Sequence, residues 1–309
     1  MSRVAEWRAV TRRYRGVTAV EDVSLGLEAG EATALVGHNG AGKTTLIKLL
    51  LGLIRPDAGC VRIGGADPAG PAGAAARRTI GFLPESVAFH GAMTGHELMA
   101  FYARLKGASR ERNAELLERV GIAHAARRPV ATYSKGMRQR LGIAQALIGE
   151  PRLLLFDEPT SGLDPSSRRA VYEMIDTLRR SGATVLVSTH ALAEVENRVD
   201  RAAIMHRGRL LAAGTLAELR RGADADVRIE LRVRPCTTGT LLAALPPGVR
   251  CAERGDAALT LLVAPAAKLQ ALRAIAQAGD LVEDVELISP GLHELYAHLV
   301  GAEEEEDAE

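Results

Sequence analysis

The sequence predicts an α/β fold in which helices flank a parallel sheet. Three short apolar runs have the length and composition of strands buried on both faces: Ala32–Val36, Leu153–Phe156 and Val185–Val187. Segments with helical spacing of apolar residues lie between these runs. A glycine-rich stretch separates the first run from the helix that follows it. Buried strands that alternate with helices are typical of parallel α/β sheets.

The elements of this region can be assigned in order along the chain. Residues 20–36 are predicted as strands, because Val23, Leu25 and Leu27 alternate and Glu28–Glu31 has the composition of a turn. Residues 86–150 are predicted to form a largely helical subdomain inserted between strands. The predicted helices are Thr44–Leu53, Glu97–Lys106, Glu111–Val120, Lys135–Ile148 and Ser166–Arg180.

A second, smaller α+β domain is predicted after a change in composition at residues 220–224. Its predicted strands are Val227–Val233, Leu259–Val263 and Leu281–Ile288, and its predicted helices are Ala266–Ala278 and Pro290–Leu299. The sequence therefore predicts a first domain at residues 1–220 and a second at 224–300. Residues 301–309 are predicted to be a disordered acidic tail, because consecutive like charges repel one another and bury no surface.

Composition excludes several classes of protein. The chain has 309 residues, 47% of them apolar and 25% charged, which are ordinary values for a globular protein. No apolar run approaches the roughly 18–20 residues that a membrane span needs, and the N-terminus lacks a secretory signal, so we expect a cytosolic protein. Three widely spaced cysteines exclude a disulfide framework and argue against structural zinc. Few aromatic residues are present to stack on bases, so we expect no nucleic-acid partner.

The glycine-rich stretch Gly37–Thr44 fits the phosphate-binding pattern G-x-x-x-x-G-K-[ST], with a predicted strand before it and a predicted helix after it. Glycines let the backbone N–H groups and the helix N-terminus face a phosphate. Lys43 is expected to reach the β- and γ-phosphates, and the Thr44 hydroxyl to bind Mg²⁺. The expected nucleotide contacts in this stretch are Gly37, Asn39, Gly40, Gly42, Lys43, Thr44 and Thr45.

Two acidic residues end the apolar run at residues 153–156. Ligands of parallel α/β sheets bind at the carboxyl ends of strands, so Asp157 is expected beside the phosphate loop as a second Mg²⁺ ligand. Glu158, one residue further on, is expected to orient and deprotonate the attacking water. Two acids at this position could instead cap a helix, an alternative that the neighbouring phosphate loop disfavours.

With these residues the sequence resembles the ABC-type ATPases. The segment Tyr133–Gln139 resembles the signature motif of that family, Asp157–Pro165 its Walker B motif and D-loop, and Ser188–His190 its switch histidine. The resemblance implies a homodimer in which each ATP lies between the P-loop of one subunit and the signature motif of the other. On that basis Ser134 and Gly136 are expected to contact the γ-phosphate across the dimer, and Asp164 belongs to the expected nucleotide site.

Three further site residues follow from the same resemblance. His190 is expected to hydrogen-bond the γ-phosphate, and Tyr14 matches the aromatic residue that stacks on adenine, although a tyrosine there could simply be a packing residue. Glu85 occupies the place of the Q-loop glutamine and is expected as a further ligand of Mg²⁺ or of its water, with more negative charge and without the amide donor. The expected catalytic residues are Glu158, His190 and Lys43, and the expected cofactors are ATP and Mg²⁺.

The resemblance implies the motor subunit of an ABC transporter, a peripheral protein on the cytoplasmic side of the inner membrane that acts on a separate membrane permease. Residues 79–107, 133–141 and 145–151 resemble the ATPase that supports copper-site assembly of nitrous oxide reductase, whose partners include a periplasmic accessory protein. The alternative is the ATPase of a drug, lipid or sodium exporter. An ABC ATPase acting on ribosomes or DNA is a more remote alternative, because the chain has neither a second cassette nor a long coiled coil.

Overall fold

The chain divides into two compact units, the first ending at Thr215 and the second beginning at Leu216. The computed structural model describes residues 3–306. In the first unit the strands are β1 Arg3–Tyr14, β2 Val17–Glu28, β3 Ala32–Val36, β4 Ala58–Ile63, β5 Ile80–Leu83, β6 Leu153–Asp157, β7 Thr184–Thr189, β8 Arg201–His206 and β9 Arg209–Thr215. Its helices are α1 Lys43–Leu50, α2 Gly73–Arg78, α3 Gly95–Lys106, α4 Asn113–Arg119, α5 Lys135–Ala146, α6 Pro165–Arg180 and α7 Leu192–Val195.

The larger sheet of the first unit positions the phosphate loop. Its strand order is β5-β6-β7-β3-β8-β9, and all neighbours are parallel except the β8–β9 pair. Every residue of β3, β6 and β7 is buried, as the continuous apolar runs predict. Because these three strands are parallel and adjacent, their carboxyl ends lie at one edge of the sheet. The predicted α/β fold is confirmed.

A second, antiparallel sheet has the order β2-β1-β4. Apolar residues of β1 form one core with α1 and the larger sheet, and the fully buried members include Trp7, Leu46 and Leu155. The Trp7 indole N–H donates a hydrogen bond of 3.2 Å to the Leu46 carbonyl, so its polar atom is satisfied inside the core. This contact joins β1 directly to the helix that follows the phosphate loop.

The predicted helical subdomain consists of α3, α4 and α5 with two short 3-10 turns between α4 and α5. Helix α3 begins with a capping box, in which the Thr94 hydroxyl accepts from the Glu97 N–H at 3.2 Å and the Glu97 carboxylate accepts from the Thr94 N–H at 2.8 Å. Helix α3 ends at Gly107, which adopts the left-handed conformation with φ of 69°.

The second unit is a small α+β structure, with strands β10 Val227–Val233, β11 Val249–Arg254, β12 Ala258–Val263 and β13 Val282–Ile288 and helices α8 Leu216–Gly222, α9 Thr238–Ala244, α10 Lys268–Gln277 and α11 Leu292–Glu306. Its antiparallel sheet has the order β11-β12-β10-β13. Alternate residues of β10 and β12 form its core with α9 and α10, and the buried members include Ile229, Leu261 and Ala271.

Two predictions about the second half of the chain need correction. Residues 216–220, assigned to the first domain, and residues 221 and 222, placed between the two predicted domains, form α8 of the second unit, with Leu219 buried. The acidic tail is helical through Glu306 rather than disordered from residue 301, and residues 307–309 lie outside the described part of the chain. Buried Leu292 and Leu295 anchor α11, and glutamate is a good helix former, so the helix extends into the acidic run.

Candidate functional site: a phosphate loop beside paired acids

The phosphate loop connects β3 to α1 in a conformation that requires glycine. Gly42 caps the N-terminus of α1 with φ of 102°, and a Cβ at this position would lie 2.6 Å from the Ala19 carbonyl oxygen of β2. A Cβ on Gly37 would lie 2.5 Å from the Met205 carbonyl oxygen. Neither glycine can therefore carry a side chain without moving the backbone of a neighbouring strand.

The Lys43 ammonium is buried at the centre of this loop, with the residue only 6% exposed. It donates hydrogen bonds to the carbonyl oxygens of Gly37 at 2.6 Å and His38 at 3.2 Å. Its Nζ also lies 3.2 Å from Glu158 Oε1, in ion-pair contact but without hydrogen-bond geometry. The structure thus brings together two of the residues that the sequence predicts to be catalytic.

Asp157 lies at the carboxyl end of β6, against the first turn of α1. The Thr44 hydroxyl donates to Asp157 Oδ2 at 3.1 Å, and the Ser188 hydroxyl donates to Asp157 Oδ1 at 2.5 Å. Asp157 is 4% exposed and Ser188 is fully buried. The Thr44 hydroxyl and an Asp157 carboxylate oxygen therefore lie side by side at the end of the phosphate loop.

Glu158 is held between two nitrogen groups. Its Oε2 lies 2.8 Å from Nδ1 of His190, which follows β7, and its Oε1 lies beside Lys43. The Glu158 backbone has a φ of 46°, which is uncommon for a residue with a side chain, and its N–H donates to Ser188 Oγ at 2.9 Å. Glu158 is 7% exposed, whereas the His190 side chain is 53% exposed.

These residues fit a nucleotide with Mg²⁺. Mg²⁺ is usually held by one or two protein oxygens together with phosphate oxygens and waters, and Thr44 and Asp157 supply that pair. Within residues 3–306 no group of three or more His, Cys, Asp or Glu side chains could hold a metal ion.

A second predicted motif lies at the N-terminus of α5. Ser134 caps this helix by accepting from the Met137 N–H at 3.2 Å. Gly136 lies against α6, because a Cβ there would be 2.5 Å from Ser167 Oγ. Asp164 caps α6, and the hydrogen bonds from the Ser166 hydroxyl and the Ser167 N–H hold the pKa of its carboxyl well below the usual range. The two helix N-termini are therefore packed together.

Comparisons with known proteins bear on the family of this chain. Residues 20–161 match the family model described as ABC transporter. The chain is 38% identical over 301 residues to the daunorubicin resistance ATP-binding protein DrrA3 of Streptomyces coeruleorubidus, which covers 94% of this chain and 93% of that protein. This chain is an ABC transporter ATP-binding subunit. It is an ATPase whose hydrolysis of ATP is coupled to transport, and subunits of this family dimerise and work with membrane permeases.

Other relatives support the same family. The doxorubicin resistance ATP-binding protein DrrA of Mycobacterium tuberculosis is 36% identical, covering 91% of this chain and 88% of its own. A solved ATP-binding subunit of an ABC transporter is similar with a TM-score of 0.64 and 36% identity, covering 71% of this chain and 92% of that chain. The expectation of nitrous oxide reductase maturation receives no support from these relatives, and the two sequence relatives are named for daunorubicin and doxorubicin resistance. No helix within residues 3–306 is long and apolar enough to span a membrane.

Two predicted site residues of this ABC subunit, Tyr14 and Glu85, make no contact with the buried side chains of Lys43, Asp157 and Glu158. Tyr14 ends β1 at a hairpin and is 39% exposed, and β2 of the same hairpin places Ala19 against Gly42. Glu85 is exposed two residues after the end of β5. Since β5 and β6 are parallel neighbours, Glu85 and Asp157 follow the same edge of the sheet, but the structure gives no contact between them.

Sequence reasoning missed the role of Ser188 and the position of Tyr172. Ser188 bonds both Asp157 and the Glu158 backbone, and its signal in the sequence is a polar residue at the end of an apolar strand. The Tyr172 hydroxyl on α6 lies 3.4 Å from Thr160 Oγ1 and 3.5 Å from Thr189 Oγ1. Burial raises the pKa of Tyr172, so the phenol stays protonated and joins the segment after β6 to the last residue of β7.

Proposed function

We propose that this chain is the ATP-hydrolysing subunit of an exporter for antibiotics of the daunorubicin and doxorubicin type, bound to its permease on the cytoplasmic face of the membrane. The observation that carries this proposal is the match to daunorubicin and doxorubicin resistance proteins along about nine tenths of both chains. A motor subunit makes no contact with the cargo in this account, so the substrate class rests on these relatives rather than on the ATP site.

For the hydrolytic site we propose roles that follow the contacts of each residue. Lys43 binds the β- and γ-phosphates, Thr44 and Asp157 hold Mg²⁺, and Glu158 is the general base for the attacking water. Buried Lys43 and the half-exposed His190 flank the Glu158 carboxylate, which supports a base with a fixed orientation. When bound, Mg²⁺ neutralises negative charge on the phosphate oxygens.

The Lys43–Glu158 contact suggests how nucleotide binding prepares the base. Phosphate oxygens are stronger acceptors than the Gly37 and His38 carbonyls, because hydrogen bonds to charged oxygens are about twice as strong as neutral ones. A triphosphate in the loop therefore draws the Lys43 ammonium toward itself and away from Glu158 Oε1. That oxygen is then free to accept a proton from water, while His190 keeps its contact with Oε2.

We further propose that Glu85 joins Thr44 and Asp157 around the Mg²⁺, and that Ser134, Gly136 and Asp164 act on the nucleotide of a second copy of this chain. Their packing at adjoining helix N-termini supports a shared anion-facing surface. Ser134→Arg subunits mixed with Lys43→Ala subunits should form heterodimers with one complete site and regain ATPase activity. If mass measurement shows heterodimers and activity stays at the level of either variant alone, the shared site is wrong.

A cavity with a volume of about 490 Å³ lies between β5, the residue after it, α2 and α3. Its lining combines apolar residues, including Phe82, Pro84, Tyr102 and Leu105, with the basic side chains of Arg77, Arg78 and Lys106. Leu105 is 64% exposed. We propose that a cytoplasmic segment of the permease occupies this cavity. Leu105→Glu should abolish drug resistance and release the subunit from membranes while the purified subunit keeps its ATPase activity.

The substrate proposal can be tested in the native host. Replacing the gene by a Glu158→Gln version should raise doxorubicin accumulation and lower resistance, with nitrous oxide reductase keeping its copper. Unchanged drug resistance with a copper-deficient reductase would reject drug export and favour the maturation role, which brings a periplasmic accessory protein with it. Unchanged drug resistance with a copper-replete reductase would reject both and favour lipid or sodium export. Recovery of the subunit on ribosomes or DNA, rather than membranes, at high salt would reject transport.

A further inference from the structure

A cation lies over the ring of Tyr14. The Arg12 guanidinium carbon is 4.8 Å from the centre of that ring, within the range of a cation–π interaction. Arg12 covers one face of the ring, and Tyr14 remains 39% exposed. Both residues belong to β1, close to its hairpin with β2.

Arg12 is fixed by the loop that follows the P-loop helix. Its Nη1 donates to Asp57 Oδ1 at 2.9 Å and to the Arg55 carbonyl at 3.1 Å. The other oxygen of Asp57 accepts from the Arg13 N–H at 2.6 Å, and the Asp57 N–H donates to the Thr11 carbonyl at 2.8 Å. Asp57 therefore holds both the Arg12 side chain and the backbone of β1.

This arrangement connects the expected adenine end of the nucleotide site, at Tyr14, with its expected phosphate end, at Lys43. Helix α1 begins at Lys43, the phosphate-binding residue, and the segment after its C-terminus carries Arg55 and Asp57. Asp57 positions Arg12, and Arg12 lies against Tyr14. The aromatic ring is thus attached through the Arg12 and Asp57 side chains to the segment that follows the P-loop helix.

We propose that Arg12 is a positioning residue for ATP: clamped by Asp57, it stacks behind Tyr14 and fixes the ring as the platform for the purine base. The proposal rests on the role proposed for Tyr14 in nucleotide binding. An aromatic ring binds a base by stacking on its π-face, so a ring held by a planar guanidinium loses less freedom when the base arrives. A lysine at position 12 keeps the charge but lacks the planar, multiply bonded group.

The test compares the affinity for a nucleotide with the affinity for a triphosphate chain that carries no base. Isothermal titration of the full chain with the magnesium complexes of a non-hydrolysable ATP analogue and of inorganic tripolyphosphate separates base binding from phosphate binding. Arg12→Ala should lower the affinity for the nucleotide about two- to fivefold, the range expected for an exposed cation–π contact. The affinity for tripolyphosphate should not change. Arg12→Lys should recover less than half of the loss. The matched control Arg13→Ala removes one positive charge from the adjacent position, keeps the N–H that binds Asp57, and should bind both probes normally.

Each alternative gives a different result. Equal weakening of both probes by Arg12→Ala would show a general charge effect and overturn the proposal, as would full rescue by Arg12→Lys or normal nucleotide affinity in Arg12→Ala. Tyr14→Ala should lower the affinity for the nucleotide about tenfold. Adding Arg12→Ala to Tyr14→Ala should cause no further loss of affinity. If Tyr14→Ala binds nucleotide normally, the role of Tyr14 itself is wrong. Asp57→Asn, which keeps the side-chain shape, should reproduce the Arg12→Ala pattern if Arg12→Ala does not fold.

Discussion

Ser188→Ala should damage both stability and catalysis, although Ser188 touches no nucleotide in the proposed mechanism. The Ser188 hydroxyl is fully buried, donates to Asp157 and accepts from the Glu158 N–H. An alanine leaves that backbone N–H buried without its acceptor and removes a hydrogen bond to a carboxylate. It also releases Glu158 from one of the contacts that hold its φ of 46°.

The size of the effect follows from these contacts. An orphaned buried N–H costs about 1–3 kcal/mol, and a hydrogen bond to a charged group contributes about 1.5–3 kcal/mol. Because the two losses share one hydroxyl and the site can relax, we expect the free energy of unfolding to fall by about 2–4 kcal/mol. Displacement of the Glu158 carboxylate should lower kcat by roughly 10²-fold, the effect of a misplacement of about 1 Å.

The assay can use the only tryptophan of the chain. Trp7 is buried in the core of the first unit, so its fluorescence during urea unfolding reports on that unit. Ser181→Ala is the matched control, because the exposed Ser181 hydroxyl bonds only the Leu178 carbonyl at the end of α6, and it should change stability by less than about 0.5 kcal/mol. If Ser188→Ala behaves like Ser181→Ala in both unfolding and kcat, the reasoning is refuted.

Two further changes test the packing and the pH dependence of the first unit. Gly136→Ala should lower its stability by about 1–3 kcal/mol, because the new Cβ meets Ser167 Oγ, and Ser167→Gly should restore it in urea unfolding; failure of the double variant to recover would contradict the contact. Hydrogen bonds from the Thr94 N–H and hydroxyl lower the pKa of Glu97 in the folded state, so its contribution is complete at neutral pH and is lost as the pH falls from about 4.5 through the folded pKa. The stability of Glu97→Gln should therefore vary less between pH 6 and pH 3 than that of the wild type, and identical pH profiles would contradict this assignment.

The sequence predicts the elements whose residues are buried on both faces or form a local motif. Strands β3, β6 and β7 are continuous apolar runs, and the P-loop is a contiguous pattern. Strand β1 was not predicted, because it is rich in arginine and half exposed, and its extended form depends on pairing with β2 and β4. The edge strand β11 was missed for the same reason, since nearly all of its residues are exposed.

The same distinction applies to the site. The sequence identifies Lys43, Glu158 and His190 separately, by motif and by family resemblance. Their contacts depend on the strand order β6-β7-β3, which the local sequence does not encode. Arg12 and Asp57 have no motif, because their pairing joins residues 45 positions apart through the packing of β1 beside β4.

Glu158 is the proposed base of an ATPase site built on Lys43 and Asp157. Glu158→Gln keeps the size of the side chain and removes the proton acceptor. Single-turnover hydrolysis of ATP by the purified variant, measured with its equilibrium ATP affinity, tests the claim most directly, with the exposed Glu173→Gln as the matched control. We expect the control to behave as wild type and Glu158→Gln to bind ATP while hydrolysis slows by at least about 10²–10⁴-fold. Hydrolysis by Glu158→Gln at the wild-type rate would contradict the account.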